Sequence, residues 1–86
     1  MVIRYSKKSL KFLSKLDGKS VTRIRNAITG LTLVPPKGDT KPMQGYTDGR
    51  RRLRVGDWRV LYRYGADGGL EILFIIEIGN RGDIYK

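Results

Sequence analysis

The chain has 86 residues, enough for one domain with one hydrophobic core, and 18 Lys and Arg against 8 Asp and Glu give it a formal charge of +10. A charge of this size indicates nucleic acid or an acidic protein as the partner. Cysteine and histidine are absent, which excludes disulfides, argues against a structural zinc site and removes the usual imidazole base from any mechanism. We therefore expect neither a metal nor a cofactor.

The chain shows no pattern of membrane insertion or export. Arg4, Lys7 and Lys8 interrupt any apolar run near its start. The most apolar segment, residues 70–78, contains two glutamates and is too short to span a bilayer. We expect a cytoplasmic protein with no membrane partner.

The first third of the chain predicts a short strand and two helices. Residues 1–5 form the strand, and Ser6 is the expected N-cap of a helix over residues 7–16. A second helix is predicted over residues 19–31, where apolar residues recur at helical spacing. These residues are Val21, Ile24, Ile28 and Leu31. Since the intervening turn is short, we expect an antiparallel helix hairpin.

Residues 50–64 (RRRLRVGDWRVLYRY) predict a β-hairpin with a type II′ turn at Gly56-Asp57. A two-residue loop fixes the register and therefore the two faces. One face is apolar and suited to a core: Leu53, Val55, Trp58, Val60 and Tyr62.

The other face of this hairpin, here called the arginine face, carries five arginines. Its expected cross-strand pairs are Arg54 with Arg59, Arg52 with Leu61, and Arg50 with Arg63. Two of these three pairs are like-charged, which is destabilising. Such a face makes sense if a polyanion lies across it, and this is the central inference from the sequence.

The remaining segments complete a predicted α+β fold. Residues 33–49 are rich in Pro and Gly and predict a long loop, made basic by Lys41 among others. Residues 70–78 predict a central strand that is apolar on both sides. The expected domain, residues 1–86, has a two-helix hairpin packed on one face of a small, mainly antiparallel sheet of three to four strands. The arginine face is then the open one.

Arginine is suited to holding RNA for cleavage, because guanidinium groups bind phosphate bidentately, keep their protons and stabilise developing negative charge. Arg81 follows the last strand, and counting by twos places it on the same side as Glu77 and Ile75. Tyr85 and Glu77 are the candidate bases, although Glu77 could instead form an ion pair with an arginine. Without metal ligands, cleavage must use the 2′-OH of the substrate. The residues alone leave open whether the face cleaves RNA or only binds nucleic acid.

The segments RRLRVGDWRVLYRY and IIEIGNRGDIYK resemble the RelE/ParE toxin superfamily of bacterial type II toxin–antitoxin systems, and the resemblance covers the chain almost end to end. It implies the RelE-like microbial RNase fold and, for the RelE branch, ribosome-dependent cleavage of mRNA in the decoding site. Arg59, Arg81 and Tyr85 match catalytic positions of that branch. The predicted RNA contacts are Arg50, Arg52, Arg54, Arg63 and Lys41.

One departure and two alternatives accompany this resemblance. Asn80 stands where many relatives carry histidine, so a proton-transfer or stacking role there is lost. The ParE branch shares the fold but inhibits DNA gyrase and generally lacks the catalytic set, and a non-catalytic nucleic-acid-binding member is a further alternative. The resemblance also implies an acidic or amphipathic antitoxin in a hetero-oligomer with this chain, with the ribosome and mRNA as targets.

Overall fold

The computed structural model describes residues 1–80, which form two helices and one five-stranded mixed sheet. The elements in chain order are β1 (Val2–Tyr5), α1 (Lys7–Leu13), α2 (Gly18–Gly30), β2 (Asp39–Pro42), β3 (Arg51–Val55), β4 (Trp58–Asp67) and β5 (Leu70–Asn80). The sheet order is β1-β5-β4-β3-β2, with β1 parallel to β5 and all other neighbours antiparallel. The predicted α+β class is confirmed, with five strands among these residues instead of three or four.

The predicted hairpin is confirmed as β3 and β4. Gly56, the first central residue of the turn, has a φ of +58°, and Asp57, the second, does not have a positive φ. This is the pattern of a type II′ turn. The observed register pairs Leu53 with Val60 and Arg54 with Arg59. The two faces of the hairpin are therefore as predicted.

β2 lies in the segment that was predicted to be a loop. Residues 39–42 pair with β3 and form the outer strand of the sheet, a position that tolerates the missing N–H of Pro42. Gly38 leads into this strand with a φ of +123°, and a Cβ atom there would stand 2.7 Å from Leu53 Cδ1. The loop prediction was wrong here because proline and glycine also occur at strand edges and entries.

The two helices follow the predicted pattern with small shifts at their ends. Ser6 is the N-cap of α1, and its Oγ accepts a hydrogen bond of 3.1 Å from the Ser9 N–H. α1 ends at Leu13 instead of residue 16, because the N–H groups of Lys15 and Leu16 donate to the carbonyl oxygens three residues earlier. α2 begins and ends one residue earlier than predicted.

The hydrophobic core lies between the helices and one face of the sheet. α1 packs against β5 and α2 against β3. The helices contribute Leu13, Ile24 and Ile28, and the sheet contributes Leu53, Val55, Val60, Tyr62, Leu73, Ile75 and Ile78. No helix among residues 1–80 is long and apolar enough to cross a membrane.

A β-bulge separates the two halves of the β4–β5 ladder. Leu61 pairs with Glu77 whereas Tyr62 pairs with Ile75, so Ile76 is the extra residue. The Ser6 hydroxyl donates a hydrogen bond of 2.7 Å to the Ile76 carbonyl oxygen. The prediction that Glu77 and Ile75 share a side of β5 is therefore wrong. Because of the bulge, Ile75 enters the core while Glu77 lies on the opposite face.

Candidate functional site

The arginine face lies on the side of the sheet opposite the buried core. Arg54 and Arg59 stand directly across from one another on β3 and β4, so the predicted like-charged pair is present. On β2, Lys41 pairs with Arg52. On the other side of Arg59, its partner on β5 is Gly79, which contributes no side chain. Contrary to the sequence prediction, the face is not open throughout, because Arg59 and Leu61 on it are buried.

Arg59 differs from the other arginines in being buried, with only 5% of its surface exposed. Its Nη1 donates a hydrogen bond of 3.2 Å to the Trp58 carbonyl oxygen. Arg54 opposite is exposed. Burial of a guanidinium is costly and restricts its movement, so Arg59 provides a fixed cation beside the hairpin turn.

Arg50 does not form the predicted pair with Arg63, since the β3–β4 ladder begins at Arg51. Its backbone N–H and its Nη2 donate hydrogen bonds of 3.1 Å each to the two carboxylate oxygens of Asp48. The hydrogen bond from the Arg50 side chain lowers the pKa of Asp48. The Arg50 guanidinium also lies 4.3 Å from the centroid of the Tyr46 ring. Arg50 therefore contacts Asp48 and Tyr46 of the preceding loop in place of the predicted pairing with Arg63.

Arg52 is also bound within the chain. Its Nη1 donates a hydrogen bond of 3.1 Å to the Asp39 carbonyl oxygen and lies 3.5 Å from Asp39 Oδ1. Only 14% of the Arg52 side chain is exposed. Segment 33–49, which was expected to add positive charge, therefore supplies carboxylates to two of the five arginines. Within residues 1–80, no carboxylate pairs with Arg54, Arg63 or Lys41.

Glu77 lies on the same side of the sheet as the arginines but forms an ion pair with a lysine of α1. The Lys8 Nζ and Glu77 Oε1 atoms are 2.8 Å apart, and 26% of the Glu77 side chain is exposed. The ion-pair interpretation of Glu77 holds, with a lysine in place of the expected arginine.

Arg81 and Tyr85, predicted as catalytic, lie outside the described residues. Asn80 is the last described residue and is exposed at the end of β5, paired with Trp58. Residues 1–80 contain no group of three or more acidic side chains that could hold a metal ion.

Sequence reasoning missed a second feature of this side of the sheet. Arg4 of β1, Phe74 of β5 and Arg63 of β4 are neighbours in register, and both guanidinium groups lie against the Phe74 ring. Because β1 pairs with the last strand of the chain in parallel orientation, no local sequence pattern could have identified this row.

Comparison with solved structures shows the same fold in toxins from several organisms. The YoeB/ParE toxin from Agrobacterium tumefaciens has a TM-score of 0.73 at 22% identity, with 93% of this chain and 98% of that chain covered. An archaeal RelE–RelB complex from Pyrococcus horikoshii OT3 has a TM-score of 0.70 at 24% identity, with 95% of this chain and 96% of that chain covered. The toxin–antitoxin complex RelBE2 from Mycobacterium tuberculosis has a TM-score of 0.70 at 22% identity, with 93% of this chain and 96% of that chain covered.

The amino-acid sequence identifies the family. No curated protein matches the chain at a significant level. The model of the ParE toxin of type II toxin–antitoxin systems, parDE, matches residues 3–85. This match spans nearly all of the chain, including the arginine hairpin and the last strand. The chain therefore belongs to the ParE toxin family, within the RelE/ParE superfamily, and is a toxin of a type II toxin–antitoxin system.

Proposed function

We propose that this toxin is a ribosome-dependent endoribonuclease that cleaves mRNA without a metal ion. The observation that supports this most is the placement of Arg59, a buried guanidinium directly across from Arg54 on the arginine face. A guanidinium that is held in place next to a second cation suits a phosphoryl group better than it suits fold stability. Exposed Arg54 and Lys41 would hold the neighbouring backbone.

The proposed reaction uses the 2′-OH of the substrate as nucleophile. The 2′-oxygen attacks the adjacent phosphorus, its proton passes to the phenolate form of Tyr85, which later releases it to solvent, and the bond to the 5′-oxygen breaks. The 5′-oxygen takes a proton from water, which leaves a 2′,3′-cyclic phosphate and a 5′-hydroxyl. Arg59 and Arg81 stabilise the charge that develops on the phosphoryl oxygens. Tyr85 and Arg81 enter this proposal through their match to the superfamily motif.

Glu77 is the weaker candidate for the base. Its Oε1 atom already pairs with the Lys8 ammonium at 2.8 Å, so this carboxylate oxygen is engaged within the fold. We therefore assign proton transfer to Tyr85 and give Glu77 the role of holding α1 against the end of β5.

Inhibition of DNA gyrase is the second candidate function. Two observations favour it: the matching family model is that of the ParE toxin, and Asp48 and Asp39 neutralise two of the arginines that RNA would contact. A non-catalytic member that only binds nucleic acid is the third. These alternatives differ in their targets and can be separated in vitro.

We also propose that a cognate acidic or amphipathic antitoxin binds this toxin in the cytoplasm and forms a hetero-oligomer with it. Several of the structural neighbours are toxin–antitoxin complexes. The net charge of +10 suits an acidic partner. One place for such a segment is a cleft of about 400 Å³ between α1 and the end of β5, which Lys8, Lys11 and Lys15 line.

The test uses two targets side by side. Purified toxin is incubated with ribosomes programmed with a defined mRNA and, separately, with gyrase and relaxed plasmid. The proposal predicts a cut in the decoding site and unchanged supercoiling. Inhibited supercoiling with intact mRNA would establish the gyrase alternative instead, and no effect on either target would favour the binding-only alternative.

A further inference from the structure

Phe74 lies on the same side of the sheet as the arginine face, between two arginines of neighbouring strands. The register pairs it with Arg4 on β1 and with Arg63 on β4. The guanidinium carbon of Arg63 is 4.3 Å from the ring centroid and that of Arg4 is 5.7 Å away. The ring itself is partly exposed. These three residues, here called the Phe74 platform, form a row of cation, aromatic ring and cation across three strands.

Gly65 fixes the position of this ring. A Cβ atom at Gly65 would stand 2.7 Å from Phe74 Cε2 and 3.0 Å from Arg63 Nη1. Only glycine therefore lets both side chains rest against the β4 backbone. Because the ring is held in place before any ligand arrives, binding on it would cost little side-chain entropy.

The charges of the platform are not neutralised within the described chain. Neither Arg4 nor Arg63 pairs with a carboxylate among residues 1–80, in contrast to Arg50 and Arg52. A cleft of about 280 Å³ borders the ring and is lined partly by both arginines. A partly exposed π face between two available cations suits a ligand that combines a flat ring with negative charge. Nucleotides have both features.

We propose that the Phe74 platform binds an unstacked base of single-stranded RNA, with Arg63 and Arg4 contacting the adjoining phosphates. The inference deepens the proposed function by adding a subsite for a nucleotide away from the cut. Arg63 lies four residues from Arg59 on β4, about 13 Å at roughly 3.3 Å per residue. Arg4 is exposed and stands near the outer limit of a cation–π contact, so it can move aside to admit a base.

Binding of an uncleavable oligonucleotide tests this proposal separately from the chemistry. A fluorescent single strand with 2′-O-methyl groups throughout is titrated with wild-type protein, Phe74→Leu and Phe74→Trp, and binding is followed by anisotropy. Phe74→Leu should weaken binding about 5- to 150-fold, the range of one base–aromatic stack. Phe74→Trp should retain it. With a strand of the same length made only of abasic sites, all three proteins should bind equally.

Two results would overturn the proposal. One is equal binding of the normal strand by wild-type protein and Phe74→Leu. The other is an equal loss on the normal and abasic strands, which would mean that the substitution acts through the fold or the general charge. If Phe74→Leu does not fold, Arg63→Lys replaces it, since lysine keeps the charge and loses the planar contact. Its loss should then be larger on the normal strand than on the abasic one.

The outcomes distinguish this proposal from the proposed function. Phe74-dependent base binding without cleavage on ribosomes would contradict the proposed function alone, whereas cleavage with Phe74-independent binding would contradict the platform alone. Weaker antitoxin binding by Phe74→Leu with unchanged RNA binding would assign the platform to a protein interface and refute its role in RNA binding. On programmed ribosomes, a photoreactive phenylalanine analogue at position 74 should crosslink to mRNA or to ribosomal RNA and thereby identify the source. Crosslinks to protein only would contradict the proposal.

Discussion

Replacing Arg59 by alanine should slow mRNA cleavage far more than it destabilises the protein. Among its contacts, the Arg59 guanidinium donates a hydrogen bond from Nη1 to the Trp58 carbonyl oxygen at 3.2 Å. It also faces Arg54 across the hairpin as a like-charged pair. Arg59→Ala therefore removes a stabilising contact and a destabilising one at the same time.

These two contacts of Arg59 set the scale of the expected change in stability. A hydrogen bond from a charged donor contributes about 1.5–3 kcal/mol, and relief of a like-charged cross-strand pair returns about 0.2–1 kcal/mol. The net loss from these two contacts is about 0.5–2.8 kcal/mol, and a domain with a stability of about 5 kcal/mol or more remains largely folded. Loss of one preorganised donor to a developing oxyanion lowers the rate by about 10²- to 10³-fold. Arg59→Ala should therefore lower the cleavage rate far more than it lowers the fraction of folded protein.

The assay is single-turnover cleavage on programmed ribosomes, with urea unfolding measured in parallel. The matched control is Arg54→Ala, which removes the exposed partner of the same pair. Arg54→Ala should raise the ribosome concentration needed for half-maximal cleavage more than it lowers the saturated rate, and it should leave stability unchanged or slightly higher. If both variants change the saturated rate and the half-maximal concentration equally, the distinction between a buried reacting cation and an exposed binding cation is refuted.

Three further predictions concern the base, the charge and the partner. Tyr85→Phe should lower the single-turnover rate about 10²-fold or more with ribosome affinity nearly unchanged, and Glu77→Gln should have little effect. The reverse pattern would give the base role to Glu77. Full rates in both variants would mean that cleavage depends on positioning of the 2′-OH and on arginine electrostatics alone. Single-stranded RNA affinity should fall with salt with a log–log slope of about 2 or more, since each neutralised phosphate contributes roughly 0.7, and Asp48→Asn should steepen it by releasing Arg50; a slope near zero would contradict the polyanion argument. Expression of the toxin alone should arrest growth and co-expression of the adjacent open reading frame should relieve the arrest; harmless expression of the intact chain would count against toxicity.

The hairpin was predictable because its information is local. Gly56-Asp57 selects the turn, and a two-residue turn sets the register of the ladder from Val55 with Trp58 to Arg51 with Tyr62, so the faces of Leu53 and Arg54 followed from counting. The helices were predictable for the same reason, from the spacing of apolar residues in α2 and the N-cap at Ser6.

What failed depends on side-chain contacts and on strand pairing between segments distant in the sequence. The extra residue Ile76 shifts the register of β5, and the carbonyl of Ile76 is held by Ser6 from the other end of the chain. The partners of Arg50 and Arg52 come from carboxylates in a segment that looked like a basic loop. The row of Arg4 and Phe74 requires the parallel pairing of β1 with β5. Counting along a strand cannot detect any of these.

A single 2′-deoxynucleotide tests the central claim most directly. Ribosomes are programmed with an mRNA that carries 2′-hydrogen instead of 2′-OH only at the nucleotide preceding the mapped cut, and with an otherwise identical all-ribose mRNA. Metal-independent attack by the 2′-OH predicts cleavage of the ribose mRNA to fragments with a 2′,3′-cyclic phosphate and a 5′-hydroxyl, and no cleavage at the deoxy position. Equal cleavage of both mRNAs, or fragments with a 5′-phosphate, would contradict the proposed chemistry.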